Sequence, residues 1–158
     1  MKTVKLVLAG MIAFCVIGQS QESTGGIPEG YVALLRSDVQ SKKVEIIRQN
    51  LTLTEEQAGK FWPLQRSYDN DLSKLNDDRL NVIRDYAKHW DDLSDSVASN
   101  LGNRMLDDQK KRVDLRKKYF DRISKEITPT VSAKFFQIEM QLEDVIDLGV
   151  ASSIPLVK

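Results

Sequence analysis

The residues best suited to acid–base or metal chemistry surround the single histidine. Asp85, Asp91 and Asp92 lie within four residues of His89, a spacing that could form a weak metal or proton-transfer site. Transition-metal sites usually need several His or Cys ligands, and the chain has one of each. Ser94 lacks a nucleophile-elbow context, and no phosphate loop or dinucleotide motif is present. We therefore expect no enzyme, no metal and no cofactor, and interpret His89 as a polar residue at a helix end.

A basic segment is the second candidate site. One interpretation is a solvated face that also complements acidic positions on the preceding helix. The other is a basic surface that attracts acidic or unfolded chains, and the sequence leaves both open. The residues of this candidate binding surface are Lys110, Lys111, Arg112, Arg116, Lys117, Lys118 and Arg122.

Two similar helix starts organise the rest of the chain. Residues 53–64 return as residues 127–138, with every position offset by 74. Thr54 followed by Gln57 predicts a capping box, and Thr128 predicts a second cap with Pro129 at the first helical position. We expect a structural capping role for five residues: Leu53, Thr54, Gln57, Ile127 and Thr128.

Pro63 lies nine residues after the first cap, inside a helical pattern. Because the apolar period continues beyond it, we expect a kink between Gly59 and Pro63. The alternative is a short helix that ends at Trp62.

Residues 1–20 are expected to be a secretory signal peptide, with Lys2 and Lys5 before an apolar run. Cleavage would follow Gly18 or Ser20; a lipid on Cys15 and a retained anchor are the alternatives. Cleavage removes the only cysteine and leaves 21 basic against 23 acidic residues, a net charge of −2 with His neutral. This near-balance gives no global attraction to nucleic acid or to an anionic membrane. We also expect no stable membrane insertion after cleavage.

The mature chain is expected to have one domain. Residues 21–30 are interpreted as a flexible linker, residues 31–150 as a single all-α domain and residues 151–158 as an apolar C-terminal tail. Helices are predicted over residues 31–50, 55–89, 96–126 and 129–148, with Gly149 as the last C-cap.

Apolar residues repeat every seven positions along the two long helices, in a pattern that resembles a coiled-coil seam. The third helix carries Leu106, Val113, Phe120 and Ile127 on this repeat, and Val145 closes the stripe of the fourth. Two helices of about 30 residues would each be roughly 45 Å long. We expect an elongated antiparallel helical hairpin whose exposed apolar surface is covered in a homodimer.

The sequence resembles the LTxxQ-motif family of secreted helical proteins, the Spy/CpxP-like group. Residues 53–57, LTEEQ, fit the motif in full, and residues 127–131, ITPTV, match it except at Ile127 and Val131. The leader, the length and the two copies agree with this family. The resemblance implies a periplasmic protein of a Gram-negative bacterium, a dimeric cradle and a stress-related role.

Two functions follow from the resemblance. The first is an ATP-independent chaperone or anti-aggregation factor that binds unfolded or envelope proteins. The second is a regulatory adaptor that docks an envelope sensor or another single partner. Both require an exposed amphipathic surface, so the sequence does not separate them.

Overall fold

The computed structural model describes residues 38–151 and residue 154. Within this part of the chain there are four α-helices and no strand, which confirms the all-α class with four helices. The helices are α1 (Asp38–Asn50), α2 (Glu55–His89), α3 (Asp95–Glu126) and α4 (Pro129–Ala151).

Three predictions concern residues outside the described part of the chain. They are the signal peptide at 1–20, the linker at 21–30 and the start of the first helix at residue 31. The tail at 151–158 also falls outside it, except for Ala151 and Ile154.

The two related helix starts are capped as predicted. The Thr54 hydroxyl accepts a hydrogen bond from the Gln57 N–H at 3.2 Å, and the Gln57 side chain accepts one from the Thr54 N–H at 3.1 Å. This completes a capping box. The Thr128 hydroxyl accepts from the Val131 N–H at 3.2 Å, ahead of Pro129, the first residue of α4.

Of the other helix ends, one is capped by a side chain and one corrects a prediction. Ser94 caps α3 by accepting a hydrogen bond from the Val97 N–H at 3.4 Å. The predicted C-cap at Gly149 is wrong, because α4 continues through it to Ala151. Among the described residues no glycine has a positive φ, so Gly149 does not adopt the left-handed conformation that ends many helices.

α2 is continuous through Pro63, so the alternative of a short helix ending at Trp62 is wrong. The Ser67 hydroxyl donates a hydrogen bond to the Pro63 carbonyl at 2.9 Å. The kink between Gly59 and Pro63 stays a prediction.

α2 packs against α3, α3 against α4, and α1 against α4. The Tyr119 hydroxyl of α3 donates to Asp71 of α2 at 2.9 Å, and Arg104 of α3 donates to Asp85 of α2 at 2.8 Å. Later residues of α2 thus meet earlier residues of α3, so the two helices run antiparallel. The elongated hairpin shape and the dimeric cradle stay predictions.

The core lies where aromatic side chains of α2 meet aromatic side chains of α4. Phe61 and Phe135 meet edge to face with ring centroids 5.2 Å apart, and Tyr68 meets Phe136 in the same way at 5.4 Å. Ile47 and Leu51, from α1 and the segment after it, belong to the same buried cluster. So do Tyr119 and Ile123 of α3. Leu53 and Ile127, which precede the two threonine caps, pack against its edge.

The heptad prediction for α3 is wrong in its middle section. Leu106 and Val113 are 63% and 58% exposed, whereas Asp108 and Arg112 are buried. The predicted stripe of α4 also fails at its end, since Val145 is 69% exposed. The charged face of α3 is buried instead, because Arg112 forms polar contacts with the neighbouring helices α2 and α4.

Candidate functional site

One face of α3 combines exposed aliphatic and basic side chains. Leu106, Lys110, Val113 and Lys117 follow one another at spacings of four, three and four, so they lie along one side of the helix. We call these four residues the outer stripe. All four are exposed. Such a strip can bury aliphatic groups of a partner while its ammonium groups pair with acidic side chains.

The ammonium groups of this region differ in their partners. Within the described part of the chain, Lys110 and its neighbour Lys111 form no ion pair and both are exposed. Lys117 pairs with Asp121 on the same exposed face of α3. Exposed pairs of this kind contribute little, so Lys117 remains available to a partner.

Lys118 and Arg122, also predicted for the basic surface, are exposed but have neighbours. Lys118 lies 3.2 Å from Asp71 of α2, and Arg122 lies 3.7 Å from Glu126. The hydrogen bond from the Tyr119 hydroxyl, followed by the one from Lys118, lowers the pKa of Asp71. Lys118 therefore also connects α3 to α2.

Two predicted members of the surface are placed elsewhere. Arg112 is only 5% exposed, and it donates to Asp108 and to Asn76 of α2, both at 2.8 Å. It also lies 3.5 Å from Glu143 of α4, which Arg116 contacts as well. The assignment of Arg112 to an exposed surface is therefore wrong, and the Arg116 guanidinium is engaged between α3 and α4. A buried arginine keeps its charge, so it must have such partners.

A second cluster of charges, unforeseen from the sequence, joins α1, α2 and α4. Lys43 of α1 lies 2.6 Å from Asp69 of α2 and 2.7 Å from Glu139 of α4. The three residues are only 5–8% exposed. Gln65 donates a further hydrogen bond to Asp69. We call Lys43, Asp69 and Glu139 the charge cluster.

The charge cluster has one more negative than positive group. Lys43 donates to Oε2 of Glu139 at 2.9 Å, and its nitrogen also lies 2.7 Å from the buried Oε1, which accepts no hydrogen bond. Burial raises the pKa of Glu139, although the charge of Lys43 opposes this and Asp69 reinforces it. Burial alone would lower the pKa of Lys43, but Glu139 and Asp69 outweigh it and raise the pKa. The ammonium is therefore held in its charged form.

Sequence reasoning missed this cluster because its members are far apart in the chain. Lys43 and Asp69 are separated by 26 residues, and Lys43 and Glu139 by 96. No local spacing signals such a contact. The only available sign was indirect: Lys43 occupies the position one helical turn before Ile47 on the apolar face of the first helix.

A cleft beside His89 contains one of the three aspartates that could have joined it in a weak metal or acid–base site. It has a volume of about 260 Å³ and contains Asp85 and Arg104 in its wall. Arg104 donates to Asp85 at 2.8 Å and is the main cause of the lowered pKa of this carboxyl. Asp91 and Asp92 are not in the cleft wall. No group of three His, Cys, Asp or Glu residues within the described ranges is placed to hold a metal ion.

α4 exposes a smaller apolar set near its end. Val145 and Leu148 are 69% and 72% exposed, and Met140 is 47% exposed. Asp144 is exposed among these residues, whereas Asp147 is half-buried and lies 2.6 Å from Arg79 of α2.

No protein-family model, curated protein or solved structure matches this chain. The resemblance to the LTxxQ-motif family therefore stays a prediction that rests on residues 53–57 and 127–131. None of the helices in the described part of the chain is both long enough and apolar enough to cross a membrane.

Proposed function

We propose that this protein binds unfolded or partly folded polypeptides and suppresses their aggregation without ATP, as the resemblance to the Spy/CpxP-like group suggests. The observation that supports this proposal is the outer stripe. Leu106 and Val113 are more than half exposed and alternate with Lys110 and Lys117, on a helix whose opposite face is buried. Exposed aliphatic side chains arranged in a patch are typical of interaction surfaces.

The chemistry of the outer stripe suits reversible capture of many sequences. Burying a leucine or a valine side chain contributes roughly 1.5–3 kcal/mol at most, so no single contact traps a client. The lysines attract acidic segments over several ångströms and add little specificity. Such binding holds an unfolded chain long enough to compete with aggregation, and it releases the chain without an energy source.

The proposal is tested by light scattering from an unrelated protein that unfolds on reduction, without nucleotide. We expect the mature chain to suppress aggregation at equimolar concentration. A double variant, Leu106→Ser with Val113→Ser, should require several-fold more protein for the same effect. Failure of the wild-type chain to suppress aggregation even at several-fold excess would contradict the proposal.

Two double variants distinguish an effect of the outer stripe from an effect of the net charge. Lys110→Glu with Lys117→Glu should weaken suppression, because both changes fall in the stripe. Lys125→Glu with Lys134→Glu alters the net charge equally at two exposed positions outside it, and should leave suppression unchanged. Equal loss in both double variants would show that only the overall charge matters.

The adaptor function is the alternative, and the same experiment distinguishes it. A chain that suppresses no aggregation but recovers one envelope protein in a pull-down would be an adaptor. Its binding should be lost sharply at a few residues rather than gradually.

The periplasmic location and the homodimer are part of the proposal. The location rests on the signal peptide expected at residues 1–20. The homodimer would cover exposed apolar residues such as Leu148. Sedimentation equilibrium should give a mass of two chains at micromolar concentration, and a single-chain mass at all concentrations would exclude the dimer.

A further inference from the structure

α2 extends further along the bundle than α4 does. Phe61 of α2 meets Phe135 of α4, and Arg79 lies 2.6 Å from Asp147, so the two helices run in the same direction. Beyond this ion pair α2 continues for about three turns, whereas α4 continues for about one. The last turns of α2 therefore extend past the end of α4.

The face of α2 that meets α4 remains apolar in these last turns. Tyr86 follows Arg79 by seven residues and Trp90 follows Tyr86 by four, so all three lie on one face of the helix. The two aromatic rings meet edge to face, with ring centroids 6.1 Å apart, and both residues are half-buried. They lie along the line that α4 would follow if it were longer.

α3 presents a similar face at the same level. It is joined to α4 by a short turn and packs against it, so the two helices run antiparallel. Arg112 lies 3.5 Å from Glu143, and α4 ends about two turns beyond this contact. Met105 and Leu101 lie seven and eleven residues before Arg112, on the same face of α3. Leu101 is buried, whereas Met105 is 53% exposed.

We call Tyr86, Trp90, Leu101 and Met105 the end patch. The chain that follows α4 begins beside it. Residues 152–158, SSIPLVK, are rich in apolar side chains. Ile154 is half-buried although it lies three residues beyond the last helix, and such burial requires a covering surface. A seven-residue segment spans up to about 23 Å, whereas Trp90 lies about 10 Å past the end of α4 along the bundle.

We propose that residues 152–158 of the same chain form a strap that docks on the end patch, with Ile154 and Leu156 against its apolar side chains. Pro155 disfavours helical backbone at the residue before it, so the segment leaves α4 as an extended chain. In an extended chain, Ile154 and Leu156 lie on the same face. Burial of both side chains against the end patch is the main source of binding energy.

Charge favours the same placement. Lys158 has the only charged side chain of the strap. Asp91 and Asp92, in the turn that follows α2, are both exposed and attract an ammonium group. The strap thus covers the end of the bundle and leaves the outer stripe of α3 free. It rests on contacts among α2, α3 and α4, so it does not depend on the proposed function.

The indole N–H signals in a nitrogen–proton NMR spectrum test the inference. The chain has two tryptophans: Trp90 lies in the end patch, and Trp62 lies about 42 Å away along α2. In the full-length double variant Ile154→Ser with Leu156→Ser, the Trp90 signal should move while the Trp62 signal stays. The Trp62 signal therefore also reports whether the variant is folded.

The matched control is Val145→Ser with Leu148→Ser, which removes two exposed aliphatic side chains of α4 outside the strap. The control should leave the Trp90 signal in place. A Trp90 signal that does not move in the strap variant, or that moves equally in the control, would overturn the inference. Should the strap variant not fold, Leu156→Ser alone is measured against the same criteria.

A nitroxide label shows whether the strap belongs to the same chain. The label is attached at Val157→Cys in a chain with Cys15→Ser. The Trp90 signal should lose most of its intensity, whereas the Trp62 signal should keep it. In a mixture of nitroxide-labelled and isotope-labelled chains, Trp90 of the isotope-labelled chain should keep its intensity. Loss of intensity in the mixture alone would overturn the inference, because a second copy would then supply the strap. No unfolded client takes part, so either result leaves the test of polypeptide binding independent.

Discussion

Replacement of Lys43 by methionine tests whether the charge cluster holds α1 on the bundle. Methionine keeps an unbranched side chain of similar length but removes the charge between Asp69 and Glu139, which lie 2.6 Å and 2.7 Å from the ammonium. Removal of one partner from a buried ion pair typically costs about 3–5 kcal/mol. Since Glu139 can take up a proton in response, we expect a loss of about 3 kcal/mol at neutral pH, measured by urea unfolding followed by circular dichroism.

A matched triple variant separates lost attraction from stranded charge. Lys43→Met combined with Asp69→Asn and Glu139→Gln removes all three charges and leaves groups of similar shape. Neutral replacement of a buried ion cluster is often free of cost, so this variant should lie within about 1 kcal/mol of the wild type. The reasoning would be refuted by a single variant as stable as the wild type, or by a triple variant no more stable than the single one.

Three further changes test the pH response and the helix signals. Because the pKa of Glu139 is raised in the folded protein, the wild type loses stability as this carboxyl ionises above pH 4.5. Glu139→Gln lacks this carboxyl, so its stability should rise relative to that of the wild type over the same pH range. Parallel pH curves would contradict this. Thr54→Ala should cost about 1 kcal/mol in thermal or urea unfolding, while Thr54→Ser keeps the cap, and equal losses would show that the hydroxyl is not responsible. Pro63→Ala should stabilise the chain by about 2 kcal/mol. Proline costs about 3 kcal/mol inside a helix, and its restriction of the unfolded chain offsets up to about 1 kcal/mol of that cost. A loss of stability would mean that the bundle requires the proline ring.

The helix boundaries could be predicted because their causes are local. Thr54 and Gln57 lie three residues apart and exchange both hydrogen bonds of the capping box, so the box is visible in five letters of sequence. Thr128 before Pro129 gives the start of α4 in the same way. The prediction failed at Gly149, where the sequence allows a helix to end but does not require it.

The sequence did not reveal which face of α3 is buried, because this depends on contacts with the other helices. Asp108 and Arg112 have the spacing of a surface ion pair, and Leu106 and Val113 have the spacing of a core stripe. In the structure the polar pair is buried, because Arg112 meets Asn76 of α2 and Glu143 of α4. Periodicity identifies a helix, but it does not reveal which polar residues find partners.

The candidate surface was therefore foreseen only in part. The basic character of α3 was evident from the sequence, and Lys110 and Lys117 do lie on the outside. The aliphatic members of the outer stripe were assigned to the core, so the sequence missed the combination of aliphatic and basic groups that supports polypeptide binding.

Site-specific photo-cross-linking most directly tests whether the outer stripe binds unfolded polypeptide. A photoreactive amino acid at Val113 lies in the stripe, and the same amino acid at Asp78 lies on an exposed face of α2. Irradiation with a reduced, permanently unfolded protein should give cross-links from position 113 and few from position 78. Equal yields at the two positions, or none at position 113, would contradict the proposed surface.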